Sequence, residues 1–555
     1  METMHCQIPR RQTAIQLTGP DTLVLNSRKP VSAPGPYQIL CRVEAVGLCF
    51  SDLKLLKQFS SHARKGGIIS GIGPDILNEV PSYVPGNTPT VPGHEAVVRI
   101  CAVGEKVTTI KQGQRYLVQT DYRWLPTAAS NAAFGYNFEG ALQEYVLMDQ
   151  RIITSPDGQS MLIAASEKLS ASAIALVEPW ACVEEAYAAK ERTAIKTDGH
   201  MLVVADQDID AKQFIAFLGR FGRPRRIMWV SKSSAPHGMD VIIEKATDVS
   251  QLPQADFKDV IYFGCNVDTV ESLFPKIAPQ GLFNIVLCGC RFSKEVSAQI
   301  GRIHYGNIRL TGTTGSDPAE SMKHIPLSGE IRKGDKINLI GAAGPMGVMH
   351  VVRNICQGAD AIFAGDIDEG RLAVLSKIAK GLAEKNGVSF KTYNPTKDKV
   401  DDVFDYVVLM APIAKLIADS VKNAANGGII NIFAGIPANV TAPIDLDNYI
   451  EKKLYFIGTS GSTLTDMKTV LAKVQSGQLD TNVSVGAVCG LAGAVEGIRA
   501  VENHLISGKI VVYPACKDLP LLTLDKLEKY MPDVAESLDN GLWCDKAERT
   551  LLELY

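Results

Sequence analysis

The chain has 555 residues, enough for about three domains that each bury their own core. Its net charge of −3 gives no electrostatic footprint for nucleic acid or an anionic membrane, and no run of about 18 apolar residues marks a spanning helix. Twelve cysteines lie without paired spacings, and METMHCQIPRRQ has no apolar signal core, so a reduced cytoplasmic setting is expected.

The first chemical landmark is Cys49-Phe-Ser51-Asp52, placed just after the apolar strand pattern VEAVGL, with Lys54 three residues past Ser51. A stretch rich in Gly and Pro follows over residues 60–90 and is expected to loop at the mouth of a cleft and read substrate. Arg64, Lys65 and Lys54 are its candidate partners for a phosphate. VPGHEAVVRI then sets His94 and Glu95 at the head of another strand, and ALVEPWACVEEAY carries Glu178, with Cys182 one helical turn later. Thiolate, imidazole and carboxylate are the usual ligands of a catalytic zinc, which needs three protein groups and one open position. Each residue alone says little, since a cysteine after a strand is commonly a small buried hydrophobe.

An internal repeat occupies the middle of the chain. FPKIAPQGLFNIVLCGC parallels SVKNAANGGIINIFAGI, and NIRLTGTTGSDPAESMKHI parallels KLYFIGTSGSTLTDMKTVL. Further upstream, FKDVIYFGCN matches FDYVVLMAP, and HMLVVADQD matches KINLIGAAG. Each copy alternates continuous apolar strands with helical segments, the pattern of a parallel sheet covered on both faces. Two tandem doubly wound α/β domains are expected, at 196–328 and 329–475. Cys288-Gly-Cys290, at the end of an apolar run, reads as a pair of buried thiols.

The two copies differ at the turn that would hold phosphates. In the second, INLIGAAGPMGVMHVV gives strand, glycine turn and helix, with Gly341, Gly344 and Gly347 letting backbone approach a pyrophosphate. Pro345 and Met346 belong to the same turn, and Arg371 follows in the next helix as a further cofactor-binding candidate. Asp366 ends the next strand about twenty residues on, where a carboxylate takes the adenosine ribose hydroxyls and disfavours a 2′-phosphate. NAD is therefore expected over NADP. The first copy carries Asp206, Asp208 and Asp210 at the corresponding turn, and Ser231 and Lys232 near the place of Asp366. Carboxylates would oppose a pyrophosphate, so this copy is expected to be silent.

Taken in order, these segments resemble the zinc-dependent medium-chain dehydrogenase/reductase family, its polyol dehydrogenase branch in particular. VEAVGLCFSDLK is similar to the family's first ligand loop, and VPGHEAVVRICAVGEKVTTIKQGQRYLV to its Gly-His-Glu segment. ALQEYVLM, ALVEPWACVEEAY and SGKIVVYP are similar to its later landmarks, and the likeness covers roughly residues 10–190 and 330–515. It implies a GroES-like β-barrel catalytic domain over 1–190, completed by 476–555, beside the two Rossmann-like sheets, the first degenerate. Cys49 and His94 are then zinc ligands, and Glu95 either coordinates or sits just behind the metal. Glu178 is the third ligand of the polyol-type site, with Cys182 as its competitor, and Asp52 ties down the ligand loop. Ser51 would hydrogen-bond the substrate hydroxyl and pass its proton on, while Lys54 stands where a relay histidine is often found.

The family's four-cysteine lobe is replaced by QTDYRWLPTAASNAAFGYNFEG, which has no cysteine, so one catalytic zinc and no structural zinc are expected. The family often dimerises through edge strands of its cofactor domains, so the silent copy is expected to make an intrachain pseudo-dimer, or the chain a homo-oligomer. The tail 516–555 reads as two short amphipathic helices and, with GAAGPMGVMH, is similar to sorbose-1-phosphate reductase-like members. The implied activity is hydride transfer between NAD and a secondary alcohol or ketone of polyol, sugar or sugar-phosphate type. Threonine dehydrogenase-like oxidation of an amino alcohol, a zinc-free quinone reductase and a silent NAD-binding assembly protein stay open beside it.

Overall fold

The computed structural model describes residues 8–459 and 461–555. Two compact units divide the chain, Met1–Cys182 with Ser462–Tyr555, and Val183–Gly461. The second boundary falls at 461/462 rather than at the 475/476 expected from the repeat, because the helix Leu464–Gln475 belongs to the first unit.

The first unit is built on one extended sheet whose central strand, Gln38–Gly47, is flanked by Glu95–Val103 on one side. On its other side it pairs with Tyr145–Asp149 along its first half and with Lys509–Val512 at its end. Apolar and β-branched residues fill these strands, and both faces of the central one are largely buried. Register is what builds the site. Gly47 lies opposite Glu95 and also opposite Val511, both pairs antiparallel. Cys49 two residues beyond Gly47, His94 just before Glu95, and Lys509 two residues before Val511 therefore meet at one end of three adjacent strands.

Residues 60–90 are more ordered than a simple loop. They form 3-10 turns at Phe59–Ser61 and Ala63–Lys65 and a short helix at Pro74–Asn78. Bridges Ile68–Thr127 and Tyr83–Phe138 fasten them to the segment that replaces the four-cysteine lobe. The tail holds three short helices, Leu527–Tyr530, Pro532–Glu536 and Asp545–Glu553, where two were expected. Pro532 ends the first of them, since its ring cannot continue a helix interior.

The second unit contains two six-stranded parallel sheets of the same strand order. The first runs 242–245, 226–231, 200–205, 257–263, 277–286, 309–313, and the second 389–393, 361–365, 336–340, 404–409, 424–432, 455–457. Numbered along each copy, both read 3-2-1-4-5-6, the doubly wound dinucleotide-binding order with its switch point beside the first strand. Arg309–Thr313 and Tyr455–Ile457 are the edge strands, and they lie near one another. Val296–Ala298 pairs antiparallel with Ala442–Ile444, and Tyr449 donates its hydroxyl to the Leu310 carbonyl at 2.8 Å. One buried apolar cluster runs from Leu202 and Phe283 in the first sheet to Val407 and Phe456 in the second. Cys288 and Cys290 are half-buried, not buried as expected, because they follow the strand Ile277–Val286 into a turn at the edge of the sheet.

Candidate active site

Cys49 is the N-cap of the helix Phe50–Gln58. Asp52, in the first turn, does two things at once. Its Oδ2 accepts the Cys49 backbone N–H at 3.1 Å, and its Oδ1 lies 3.1 Å from Nδ1 of His94. With Nδ1 donating to Asp52, Nε2 of His94 keeps its lone pair for an electrophile, and Ser51 Oγ stands 3.2 Å from it. Burial disfavours the imidazolium, but Tyr136, Asp52 and Cys49 outweigh it and hold the His94 pKa well above the usual histidine range, so a metal would take the Nε2 lone pair in exchange for a proton.

Donor atoms of Cys49, His94 and Glu95 all lie within 4.8 Å of one another. Glu95 is fully buried, with Oε1 accepting from Lys509 Nζ at 2.5 Å, while Oε2 has no hydrogen-bond partner. Gly47 makes room for it, because a Cβ there would overlap Oε2. An orphaned carboxylate oxygen in a buried pocket is costly unless something binds it, and a thiolate–imidazole–carboxylate set suits zinc. These residues fit the metal. Glu178, in the first turn of Val177–Ala188, is buried beside this trio but is not part of it. Burial pushes its pKa up to about 7, with Glu95 adding repulsion and His94 pulling down. The Cys182 thiol is also pushed up by burial, and it hydrogen-bonds Ser462.

Two residues of the pocket escaped the sequence reading. Lys509 is buried with its Nζ on Glu95 and on the Leu48 carbonyl at 2.7 Å, so a fixed cation stands behind the carboxylate. Tyr136 is buried with its ring 5.8 Å from that of His94, and its hydroxyl hydrogen-bonds Ser51. Only strand register reveals the first; nothing in the spacing signals the second.

The candidate phosphate partners separate. Lys65 is fully buried with Nζ on the Thr88 carbonyl at 2.8 Å, and burial lowers its pKa to about 8, so it is spent on structure. Lys54 is exposed on the ligand helix. Arg64 pairs with Asp121 at 2.7 Å and lies over the Tyr136 ring.

In the second unit, Gly341 turns at φ +84, and Gly344 caps Pro345–Cys356 without any side-chain acceptor, leaving the first N–H groups of that helix free. A Cβ on Gly347 would lie 2.5 Å from the Ala342 carbonyl oxygen, so glycine is needed for the turn to close on its helix. Pro345 and Met346 open that helix. Asp366 accepts the Ala343 N–H at 3.0 Å and that of Asp368 at 3.1 Å, which aims its carboxylate at the glycine turn. Arg371 lies farther along, its Nε 3.7 Å from Asp368. This cradle fits a dinucleotide. The first sheet has the opposite chemistry: Asp210 accepts the N–H groups of Lys212 and Gln213 and so fills the N-terminus of Ala211–Phe221 with a carboxylate of the chain itself. Asp206 accepts the Tyr262 hydroxyl at 2.5 Å and Asp208 that of Ser233 at 3.2 Å.

Residues 35–157 match the alcohol dehydrogenase GroES-like domain. The chain is 27% identical over 249 residues to the uncharacterized protein YggP of Escherichia coli K12, covering 40% of this chain and 58% of that protein. It is 28% identical to the L-threonine 3-dehydrogenase of Mesorhizobium japonicum, over 35% of this chain and 56% of that one. It is 30% identical to the L-sorbose 1-phosphate reductase of Klebsiella pneumoniae, over 27% of this chain and 36% of that one. The chain thus spans less than three-fifths of the length of these relatives. A crystal structure from Sinorhizobium meliloti 1021, named for the alcohol dehydrogenases, shares the fold at 12% identity and a TM-score of 0.50, over 91% of this chain and all of that one.

Proposed function

We propose that this chain, whose residues 35–157 match the alcohol dehydrogenase GroES-like domain, is a medium-chain dehydrogenase/reductase that interconverts a secondary alcohol and its ketone with zinc and NAD. The observation that carries this is the trio of Cys49, His94 and Glu95, with the orphaned Glu95 oxygen and the His94 tautomer fixed by Asp52. In this proposal those three hold the metal, with Glu178 beside it and Cys182 set aside on Ser462.

Zinc would supply a Lewis acid for the substrate oxygen, and NAD a hydride acceptor. The chain's own residues do the rest. Ser51, half-buried, would take up the proton of the substrate hydroxyl while releasing its own to water, and the Tyr136 hydroxyl, hydrogen-bonded to Ser51, would orient it. Asp52 keeps His94 in the tautomer that coordinates. Lys509 offsets the buried negative charge of Glu95. Lys54, exposed and apart from Ser51's hydrogen bonds, is left out of this relay.

Gly341, Gly344 and Gly347 would hold the pyrophosphate, with Asp366 on the ribose, which favours NAD over NADP. The two sheets form an intrachain pseudo-dimer through their edge strands and the pairing of 296–298 with 442–444. The first copy is silent because its phosphate position holds Asp210. A reduced cytoplasmic setting accords with the unpaired spacing of the cysteines; among the described residues no helix is long and apolar enough to cross a membrane. Polyols and sugars are the first substrate class. The threonine dehydrogenase alignment, which spans more of its protein than the sorbose phosphate one, favours an amino alcohol as the second.

Metal and NAD stoichiometry on the purified chain tests this, followed by NADH formation with a panel of polyols, sugar phosphates and L-threonine. One zinc and one NAD per chain is expected. Two NAD would refute the silent copy, and no zinc after repletion would refute the mechanism.

A further inference from the structure

Arg64 reaches the candidate site from residues 60–90, and its position is built rather than incidental. Thr127 Oγ1 donates to the Ala63 carbonyl at 2.9 Å, and Asn137 Nδ2 donates to that of Gly66 at 3.1 Å, so the 3-10 turn carrying Arg64 is fastened on both sides. The guanidinium lies 5.4 Å from the centre of the Tyr136 ring, the same ring whose hydroxyl bonds Ser51. Glu178 and Cys182 also act on its charge, which places it on the side of the metal trio.

Its carboxylate partner is incompletely used. Arg64 Nη2 donates to Asp121 Oδ2 at 3.3 Å, and Nη1 comes within 2.7 Å of Oδ1 without aligning an N–H on it. Oδ1 therefore has no hydrogen bond, although Asp121 is 10% and Arg64 29% exposed at the side chain. Oδ1 is enclosed, so the carboxylate holds and offsets the guanidinium, whose exposed edge is left to donate. Substrate hydroxyls supply uncharged acceptors for that edge.

A phosphate finds less here. Arg64 is neutralised by Asp121, Lys509 by Glu95, and Lys65 is turned to the Thr88 carbonyl. Arg123 is half-exposed, donates to the Ser462 carbonyl at 2.6 Å, and comes within 3.9 Å of Asp121. A phosphate dianion on Arg64 would face the Asp121 carboxylate at contact distance, with Glu178 close by. We propose that Arg64 and Asp121 are the specificity element of this site and select an uncharged polyhydroxylated substrate over its phosphate ester. This rests on the alcohol oxidoreductase reading above and deepens it.

The test uses the zinc-loaded full chain and its Asp121→Asn and Arg64→Lys variants, with thermal melts confirming that each is folded. Calorimetric titration with sorbitol, xylitol and mannitol, and with sorbitol 6-phosphate, reads binding without turnover. NADH formation from the same polyols and from 2-butanol reads turnover with and without further hydroxyls. Either variant should weaken polyol binding and lower polyol kcat/KM about tenfold or more, leaving 2-butanol within about threefold. Arg64→Lys should fail like Asp121→Asn because an ammonium cannot present the planar fork. Equal losses on polyol and 2-butanol, tighter wild-type binding of sorbitol 6-phosphate than of sorbitol, or no binding of any uncharged polyol would each overturn the proposal. Polyol binding that depends on Asp121 without any NADH formed would instead leave it standing and refute the oxidoreductase reading.

Discussion

Asp52 holds His94 by one carboxylate oxygen and the backbone of Cys49 by the other, each at 3.1 Å, so one side chain sets both a ring tautomer and the start of the ligand helix. An amide at this position keeps the shape and loses the charge-assisted acceptor for Nδ1–H. Asp52→Asn should lower zinc affinity about 10–100-fold, read by competition with a chromogenic chelator. A change under about twofold would mean that Asp52 matters only to the helix.

The carboxylate of Asp366 stands at the end of Ala361–Gly365, anchored by the N–H groups of Ala343 and Asp368. In the proposed cofactor site, Asp366→Ser would remove both the ribose acceptor and the repulsion of a 2′-phosphate. The ratio of kcat/KM for NADP to that for NAD should rise about tenfold or more, a tenfold change being about 1.4 kcal/mol. An unmoved ratio would count against this residue as the nucleotide selector.

His350 gives a pH prediction in the second unit. It is fully buried, hydrogen-bonded to the Tyr187 hydroxyl at 2.8 Å and edge-on to Phe433, and burial, helped by the Arg353 charge, lowers its pKa to about 3. Between pH 3 and the unfolded value near 6.5 the unfolded chain binds more protons, so stability rises with pH across that window and is level above it. At pH 5 this one group should cost about 2 kcal/mol relative to pH 7.5. Urea titrations of wild type and His350→Leu at both pH values check it: the variant should lose less on acidification, and parallel losses would refute the assignment.

Glu548 ties the C-terminal tail into the first unit. Buried, its carboxylate accepts from the Ser172 N–H at 2.8 Å, the Ser172 hydroxyl at 2.7 Å, the Tyr513 hydroxyl at 2.9 Å and the N–H of Ala171. Glu548→Ala strands these donors without an acceptor and should cost about 3 kcal/mol. A lower denaturant midpoint at constant m-value is the expected signature. No shift would mean that water replaces the carboxylate.

Much of this was legible in the chain because it depends on local pattern. Continuous apolar strands and the repeat of NIRLTGTTG with KLYFIGTSG gave two parallel sheets, and both segments do lie at sheet edges. Cys49, His94 and Glu95 were legible as metal-ligating residue types, but their meeting point depends on the pairing of Gly47 with Glu95. Lys509 is invisible without that register, since nothing in SGKIVVYP marks its lysine as buried. Lys65 misled for a related reason: a lysine in a stretch rich in Gly and Pro looks solvated, yet its stem is enclosed and its ammonium is held by a backbone carbonyl. Tail helices and unit boundaries were read less well because helix ends and packing partners are tertiary properties.

The carboxylate of Asp210 at the head of Ala211–Phe221 has a thermodynamic consequence of its own. That helix carries a permanently tethered anion at very high local concentration, so no free nucleotide competes for it on equal terms. Saturation with NAD should therefore follow a single hyperbola, with no second phase and no homotropic cooperativity, in a chain that displays the cofactor architecture twice.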